Sequence, residues 1–431
     1  MEKIVSLCKR RGFVFPGSEI YGGLGSTYDY GPLGVELKNN IKNLWWQFFV
    51  RSRRDMVGID GGILMSSKIW EASGHVSNFK DPMVECRECH KRFRPDKLKD
   101  ATKCPDCGGA FTEVKMFSGL FQTEIGAAQG EGVVTYLRPE TAGAIFVNYK
   151  NVLQARNLKL PFGIGQIGKA FRNEITSGNF IFRTYEFEQL EIEYFFDPGN
   201  SDWNKLFETW VEQMHQYYDA LGLDRAKLHD VEIADEDRAF YSKRTIDMEY
   251  DFPFGQEELW GIAYRTDYDL SRHQEASGED LTYFDQDNKR KFIPHVIEPS
   301  MGLDRTLLAV LTAAYHEEVV DGEVRVVLKL KPELAPFKIA VLPLSKKENL
   351  SAKAEEVWNL LKAKWAVDYD ETQSIGKRYR RQDEIGTPYC VTVDFDTLEK
   401  DNMVTVRDRD TMQQERIKVE ELVGYFDQKI G

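Results

Sequence analysis

Hydrophobic and polar positions are most informative over Pro161–Asp197, which reads PFGIGQIGKAFRNEITSGNFIFRTYEFEQLEIEYFFD. Two apolar, β-leaning runs, Gly165–Arg172 and Phe180–Phe196, flank the polar stretch Asn173–Asn179. The pattern predicts two strands joined by a loop. In the second run Phe187 and Leu190 are interleaved with Glu186, Glu188, Glu191 and Glu193. Alternate residues of a strand point to opposite faces, so at least one face carries carboxylates. Arg172 and Glu174 end the first strand, and Arg183 falls early on the second. Cations, anions and a flat aromatic together suit a ligand with phosphates, an adenine ring and an ammonium group.

Elsewhere the period changes. Val35, Ile41, Leu44, Trp45, Phe48 and Phe49 recur near 3.6 residues, predicting a helix over Val35–Arg53. Its wide aromatic face fits either a core helix or a dimer interface. Met56–Met65 reads as a strand. Val133–Tyr149 reads as a strand, a turn at Arg138-Pro139 and a helix, with Thr141 as its cap and Glu140 free for function. Asp202–Leu221 is an amphipathic helix, and Arg225–Arg244 a charged, mobile insertion. Met248–Leu270 returns to strands, with Glu258 beside the central hairpin. His295–Thr312 is a strand running through Gly302 into a helix. Arg305 lies in that helix's first turn, where it opposes the helix dipole, so holding a phosphate or a base explains it better than helix stability. Met1–Gly34, rich in Gly and aromatics, reads as irregular. Lys331–Pro336 marks a domain boundary. Beyond it, alternating strands and helices predict a small α/β domain with a mostly parallel sheet.

Composition narrows the classes. The 431 residues suit two or three domains, and the 42% apolar content suits packed cores. No run of eighteen apolar residues exists, so no membrane span is expected. Charges occupy the place of a signal peptide's apolar core, which points to the cytoplasm. The net charge of −13 excludes a protein that coats nucleic acid by charge alone. It leaves room for a local patch, and Lys377, Arg378, Arg380 and Arg381 around Tyr379 form one that suits single-stranded RNA. A solvated charge run fits those residues equally.

Four of the six cysteines form two knuckles, Cys86-x2-Cys89 and Cys104-x2-Cys107, separated by fourteen residues within Val84–Glu113. Each knuckle turns two sulfurs toward one ion, the pattern of a closed, structural zinc site. Gly163-x-Gly165-x2-Gly168 matches a dinucleotide motif, but no helix opens at its third glycine, so nicotinamide binding is not expected.

Three stretches resemble the motifs of class II aminoacyl-tRNA synthetases in order: the Val35–Arg53 helix with its strand, FRNE with FRTYEFEQLE, and EPSMGLDR. Longer wording, including YGGLGSTYDYGPLGVELKNN, EASGH, LRPETAG, ELWGIAYRTDYDL and SIGKRYRRQDEIGTPYCVT, resembles the homodimeric glycyl-tRNA synthetases over nearly the whole chain. The resemblance implies an α+β fold. Its parts would be a catalytic domain over residues 1–335 on an antiparallel sheet flanked by helices, a zinc-knuckle insertion at 84–113, a helical insertion at 199–247, and an α/β anticodon-binding domain over 336–431. It implies a dimer built on the first motif, and ATP, Mg²⁺, glycine and tRNA-Gly as ligands.

The resemblance also assigns residues. Arg172, Glu258 and Arg305 would be catalytic. Asn173, Glu174, Phe182, Arg183, Phe187, Leu259 and Gly302 would join them around ATP. Arg94, Glu140, Phe187, Glu188, Gln189, Glu191, Glu298 and Ser300 would surround glycine, and Glu258 with Glu298 would hold Mg²⁺. The sequence departs from the family pattern at Ser66-Ser67, Gly143, Tyr185 and the GQEELWG run. Tyr185 stands where the family has arginine.

Overall fold

The structure is a computed structural model that describes residues 1–98, 100–126, 132–175 and 178–430. The chain opens with α1 (Glu2–Arg11), whose Ile4, Leu7 and Cys8 are buried and which Gly12 ends in the left-handed conformation. The irregular segment expected over Met1–Gly34 is therefore one-third helix; the three- and four-residue apolar spacing was masked by the Gly-rich stretch after it. Strands β1 (Val14–Pro16) and β2 (Tyr28–Tyr30) pair before α2 (Pro32–Trp46), which runs on as a helical turn to Arg51. Ile41, Trp45 and Phe49 are fully buried within this one chain. The aromatic face of α2 packs into the core of its own chain, with Leu44, Trp46 and Phe48 half-buried against it.

The Met56–Met65 strand is shorter than expected, β3 (Met56–Gly58). Short helices α3 (Ser67–Ala72) and α4 (His75–Asn78) lead to the cysteine module. There β4 (Lys80–Glu85) pairs with β5 (Arg92–Phe93) and β6 (Lys115–Ser118). A hairpin of β7 (Gln122–Ile125) and β8 (Val133–Tyr136) precedes α5 (Ala142–Arg156).

The central hairpin is β9 (Phe162–Phe171) and β10 (Glu186–Phe196). Its second strand starts later than the apolar run, because Phe180–Phe182 forms a 3₁₀ turn and Arg183 lies on the approach to β10. Residues 176–177 of the loop lie outside the described residues. After α6 (Trp203–Ala220) come β11 (Leu228–Glu232), β12 (Arg244–Phe252) and β13 (Gly255–Thr266). Segment 199–247 is thus helical only in its first half. Its Phe207, Trp210 and Met214 enter the main core, and β11, read from sequence as part of a mobile insertion, is an edge strand. Helix α7 (Tyr268–Ser277), the hairpin β14 (Tyr283–Asp285) and β15 (Arg290–Phe292), β16 (His295–Gly302) and α8 (Leu303–Ala314) complete this body.

These strands build one seven-stranded sheet in the order β11-β12-β13-β16-β10-β9-β3. Every pairing is antiparallel except β3 with β9. Along β10 the even positions Leu190, Ile192, Tyr194 and Phe196 join the core formed with α2, α6 and α8. The odd positions turn to the other face. Phe195 there packs with α5 and α7, while Phe187, Gln189 and Glu191 are left to line a cleft. The glycines of GxGxxG lie on β9. A Cβ at Gly168 would stand 2.2 Å from Arg138, and one at Gly163 would stand 2.3 Å from Met56. They make room for neighbours rather than for a cofactor.

A hairpin of β17 (Tyr315–Val320) and β18 (Glu323–Leu328) leads to Lys331–Pro336, whose Leu334 and Ala335 are buried in the main core, so the joint is packed. The last body has β19 (Ile339–Pro343), α9 (Glu348–Lys362), β20 (Val367–Tyr369), α10 (Ile375–Ile385), β21 (Tyr389–Val393), β22 (Met403–Asp408), β23 (Gln414–Lys418) and α11 (Leu422–Ile430). Its order is β20-β19-β21-β22-β23. Only the pairings of β19 are parallel, and β21-β22-β23 is antiparallel. The expected mostly parallel sheet is mixed, because the connections after β21 are too short to carry a crossover.

Candidate active site

The polar half of the sheet face opens into a cleft of roughly 340 Å³. At its inner end Glu140, Glu191 and Glu298 are all buried. Glu140 follows β8. His75 Nε2 lies 3.2 Å from its carboxylate, and Ser73 Oγ lies 2.8 Å from His75 Nδ1. Burial pushes the Glu140 carboxyl up, but His75 and the Arg265 and Arg172 guanidiniums outweigh it and hold the group near about 2. Ser300 donates to Glu191 at 3.0 Å, and the Thr141 hydroxyl donates to the other oxygen. Thr141 was expected to cap α5; it occupies that position without a side-chain cap bond and spends its hydroxyl on Glu191. Burial and the neighbouring Glu140 charge raise the Glu191 carboxyl.

Arg265, 0% exposed, organises this end. It donates to Asp269 at 2.8 and 2.9 Å and to Glu298 at 2.9 Å, and it lies 4.0 Å from Glu140. Its guanidinium stacks on Tyr241, 3.7 Å from the ring centre. Even so, burial and the Glu191 and Glu140 charges push Glu298 up to about 8.

The outer end is more open. Arg172, just past β9, donates to the Pro139 carbonyl at 3.0 Å and lies 5.3 Å from the centre of the Phe187 ring. Glu174 and Arg183 stand 4.0 Å apart. Arg305 pairs with Glu258 at 3.0 Å and covers the Phe182 ring at 4.4 Å. The cleft walls push Glu258 up, and Arg305, Arg172 and Arg183 together bring it below its ordinary value. Leu259 and Gly302 complete the wall, with Asp247 across from them. Burial and Glu258 push Asp247 up to about 7.

Most of the residues named from sequence therefore meet, and five expectations differ from what the structure places. Glu188 points to the helix side of the sheet, held by Lys38 at 3.1 Å and Lys42 at 3.2 Å, because alternation sends it away from Phe187 and Gln189. Asn173 turns to the Ser118 carbonyl, and Arg94 is held by Asp81 at 3.0 Å and Asp96 at 2.8 Å; neither lines the cleft. Glu258 is not beside the central hairpin, since β16 intervenes. Glu298 stands opposite Ala263, five residues along β13 from Glu258, on the order of 17 Å of strand. Those two carboxylates do not converge on one ion. Asp247 lines the same cleft and feels the Glu258 charge, and the two carboxylates are the hard oxygen donors that Mg²⁺ takes.

Sequence reasoning missed Arg265, His75, Asp247 and Tyr241. The signal for Arg265 was a lone cation inside an apolar strand with Asp269 four residues on. Tyr185 packs edge-on against Phe121, with ring centres 6.0 Å apart, so an aromatic contact stands where the family has arginine.

In the cysteine module Sγ atoms of Cys86 and Cys107 are 3.4 Å apart, and those of Cys89 and Cys104 are 3.7 Å apart. All four sulfurs lie within 4.8 Å of one another. Those spacings are close to the edges of a tetrahedron with zinc–sulfur bonds of about 2.3 Å. On the last body, Arg378 is buried, donating to the Pro343 carbonyl, and Arg381 is tied to Asp370. The basic patch read from sequence therefore shrinks to the exposed Lys377 and the half-buried Arg380, which itself stands 3.8 Å from Asp383.

An antiparallel sheet carrying a polar cleft, followed by a mixed-sheet body, is the layout of a class II aminoacyl-tRNA synthetase. Residues 125–314 match the family described as tRNA synthetase class II core domain (G, H, P, S and T), and residues 338–429 match the anticodon binding domain family. The chain is 53% identical to the glycine–tRNA ligase of Thermobifida fusca and 52% identical to those of Clostridium acetobutylicum and Acetivibrio thermocellus. Each comparison covers 100% of this chain and 98% of the relative. The chain belongs to the glycine–tRNA ligase family.

Proposed function

We propose that the protein activates glycine with ATP and transfers the glycyl group to the 3′ end of tRNA-Gly. The observation that carries this reading is the convergence of Glu140, Glu191 and Ser300 at a blind, buried end of the cleft, with Arg172 between them and the open end. Carboxylates there bind the glycine ammonium. Selectivity for glycine would come from crowding where a Cβ would sit, which excludes bigger amino acids sterically.

In the first step a glycine carboxylate oxygen attacks the α-phosphorus of ATP. The bond to the β-phosphate oxygen breaks and pyrophosphate leaves. Arg172 neutralises charge developing on the α-phosphate. Glu174 accepts from the adenine amino group, and Phe187 and Arg305 flank the ring. Arg183 reaches the outer phosphates. In the second step a hydroxyl of the terminal tRNA adenosine attacks the glycyl carbonyl, and AMP leaves. Positioning and charge complementarity carry both steps, and no protein acid or base is needed.

Mg²⁺, when bound, neutralises the phosphates; Glu258 and Asp247 are the residues that would hold it. Zinc at Cys86, Cys89, Cys104 and Cys107 would be structural, since four sulfurs leave no open position. Residues 1–335 would form the catalytic domain and 336–431 the anticodon-binding domain, with Lys377 and Arg380 reaching RNA. A homodimer working in the cytoplasm completes the reading. No described helix is long and apolar enough to cross a membrane.

The test is glycine-dependent ATP–pyrophosphate exchange together with charging of tRNA-Gly. Exchange with alanine or serine and none with glycine would overturn the proposal.

A further inference from the structure

Behind the inner wall of the cleft stands a carboxylate to which the proposed reaction gives no role. Glu193 lies two residues beyond Glu191 on the same face of β10. It is 0% exposed, and neither of its oxygens has a hydrogen-bond partner among the described residues. One oxygen each from Glu191, Glu193 and Glu298 lie within 4.8 Å of one another. The β10–β16 register, with Glu191 opposite Ser300 and Tyr194 opposite Ile297, sets Glu193 across from Glu298.

Charges facing this point come from every neighbouring element. Glu191 is on the same strand, Glu298 on β16, Arg265 on β13 and Asp269 on α7, with His273 of α7 beside Asp269 and Arg265. Arg265 is the cation whose charge reaches Glu193, and its hydrogen bonds are already spent on both oxygens of Asp269 and on Glu298. Glu191 has the hydroxyls of Thr141 and Ser300. Glu193 has no donor among the described residues. An ionised carboxylate in that position would be a buried, uncompensated charge against two others, among the costliest arrangements in a protein. One proton shared across the pair removes the repulsion and turns Glu193 into a donor.

We propose that Glu193 is a positioning residue for amino-acid selection, standing behind the pocket as a neutral carboxylic acid that shares one proton with Glu298. It holds Glu298, and through it Glu191, in place without adding a charge that would pull the glycine ammonium out of register. The inference rests on the glycine-activating reading of the cleft.

The experiment measures ATP–pyrophosphate exchange by the full-length protein and by Glu193→Gln and Glu193→Leu, with KM determined separately for glycine and ATP. Gln copies the shape and the donor of the neutral acid, so the glycine KM should stay within about threefold. Leu removes the donor and should raise the glycine KM at least tenfold, leaving the ATP KM within twofold. Difference infrared spectroscopy of the wild type against Glu193→Gln at pH 7 should show the carbonyl stretch of a buried, protonated carboxylic acid. A Gln variant with a glycine KM as high as the Leu variant, or no acid carbonyl band, would overturn the proposal. The band and the Gln variant decide the matter even if the Leu variant fails to fold. A wild type without glycine-dependent exchange would instead refute the underlying reading of the cleft.

Discussion

At the inner end of the cleft Glu140, Glu191 and Glu298 are buried and each is held by a neighbour: His75, Ser300 and Arg265. At the outer end the Arg183 and Glu258 side chains keep 46% and 48% of their exposure. The same kinds of residue thus occupy two electrostatic settings. Buried charges are weakly screened and must be satisfied before the ligand arrives, so the inner end would act as a fixed mould for the small zwitterion of the proposed reaction. Exposed pairs such as Arg183–Glu174 and Arg305–Glu258 are worth little to stability and can open when a polyphosphate offers better partners. Under the proposed function, discrimination would belong to the inner end and adaptable charge neutralisation to the outer.

Arg172 stands between the two ends, and its loss should break both. Arg172→Ala is expected to lower glycine-dependent exchange by at least about 10²–10³-fold, with the melting temperature unchanged by calorimetry. Next in size, Glu140→Gln removes a buried charge from the inner mould. Its glycine KM should rise about 100-fold while the ATP KM stays within about twofold. Equal rises in both constants would show that the two ends are not separate.

Zinc lies outside the comparison and serves as its control. Elemental analysis should find about one zinc per chain, lost in Cys86→Ser together with a lower melting temperature. Fully stable, metal-free wild type would refute the site.

A smaller effect comes from pH. The Asp247 carboxyl is raised to about 7, so its acid form persists at pH 6 and its charged form dominates at pH 8. A cation needs the charged form. The Mg²⁺ concentration giving half-maximal exchange should climb as pH falls below 7, approaching tenfold per pH unit. Asp247→Asn should flatten that slope. The smallest effect is expected at Arg183: Arg183→Ala should raise the ATP KM severalfold at low salt, and the difference should shrink near 0.5 M salt as screening grows.

Much of this site was legible because strand alternation reports which residues share a face. Phe187, Gln189 and Glu191 were assigned through the resemblance, and alternation agrees with them; the same rule sends Glu188, assigned with them, to the helices once its strand is fixed. The cysteine knuckles were legible because four ligands at fixed spacing carry their geometry in the chain. Arg265 was not, because an isolated cation on an apolar strand has no period, and its partners come from β16 and α7. His75 escaped for the same reason, since its contact with Glu140 joins two segments far apart in sequence.

The sequence by itself determined the strand–loop–strand hairpin, the α2, α6 and α8 helices, the sulfur cage and most residues of the cleft. Local periodicity and motif spacing are properties of neighbouring residues, so they survive without a fold. Only the tertiary structure decided that the aromatic face of α2 is core, that Arg378 is buried, that Glu258 stands far from Glu298, and that Glu193 has no donor among the described residues. Each of those depends on which element lies across from which. Packing and the pairing of buried charges settle that, and no pattern along a single element records it.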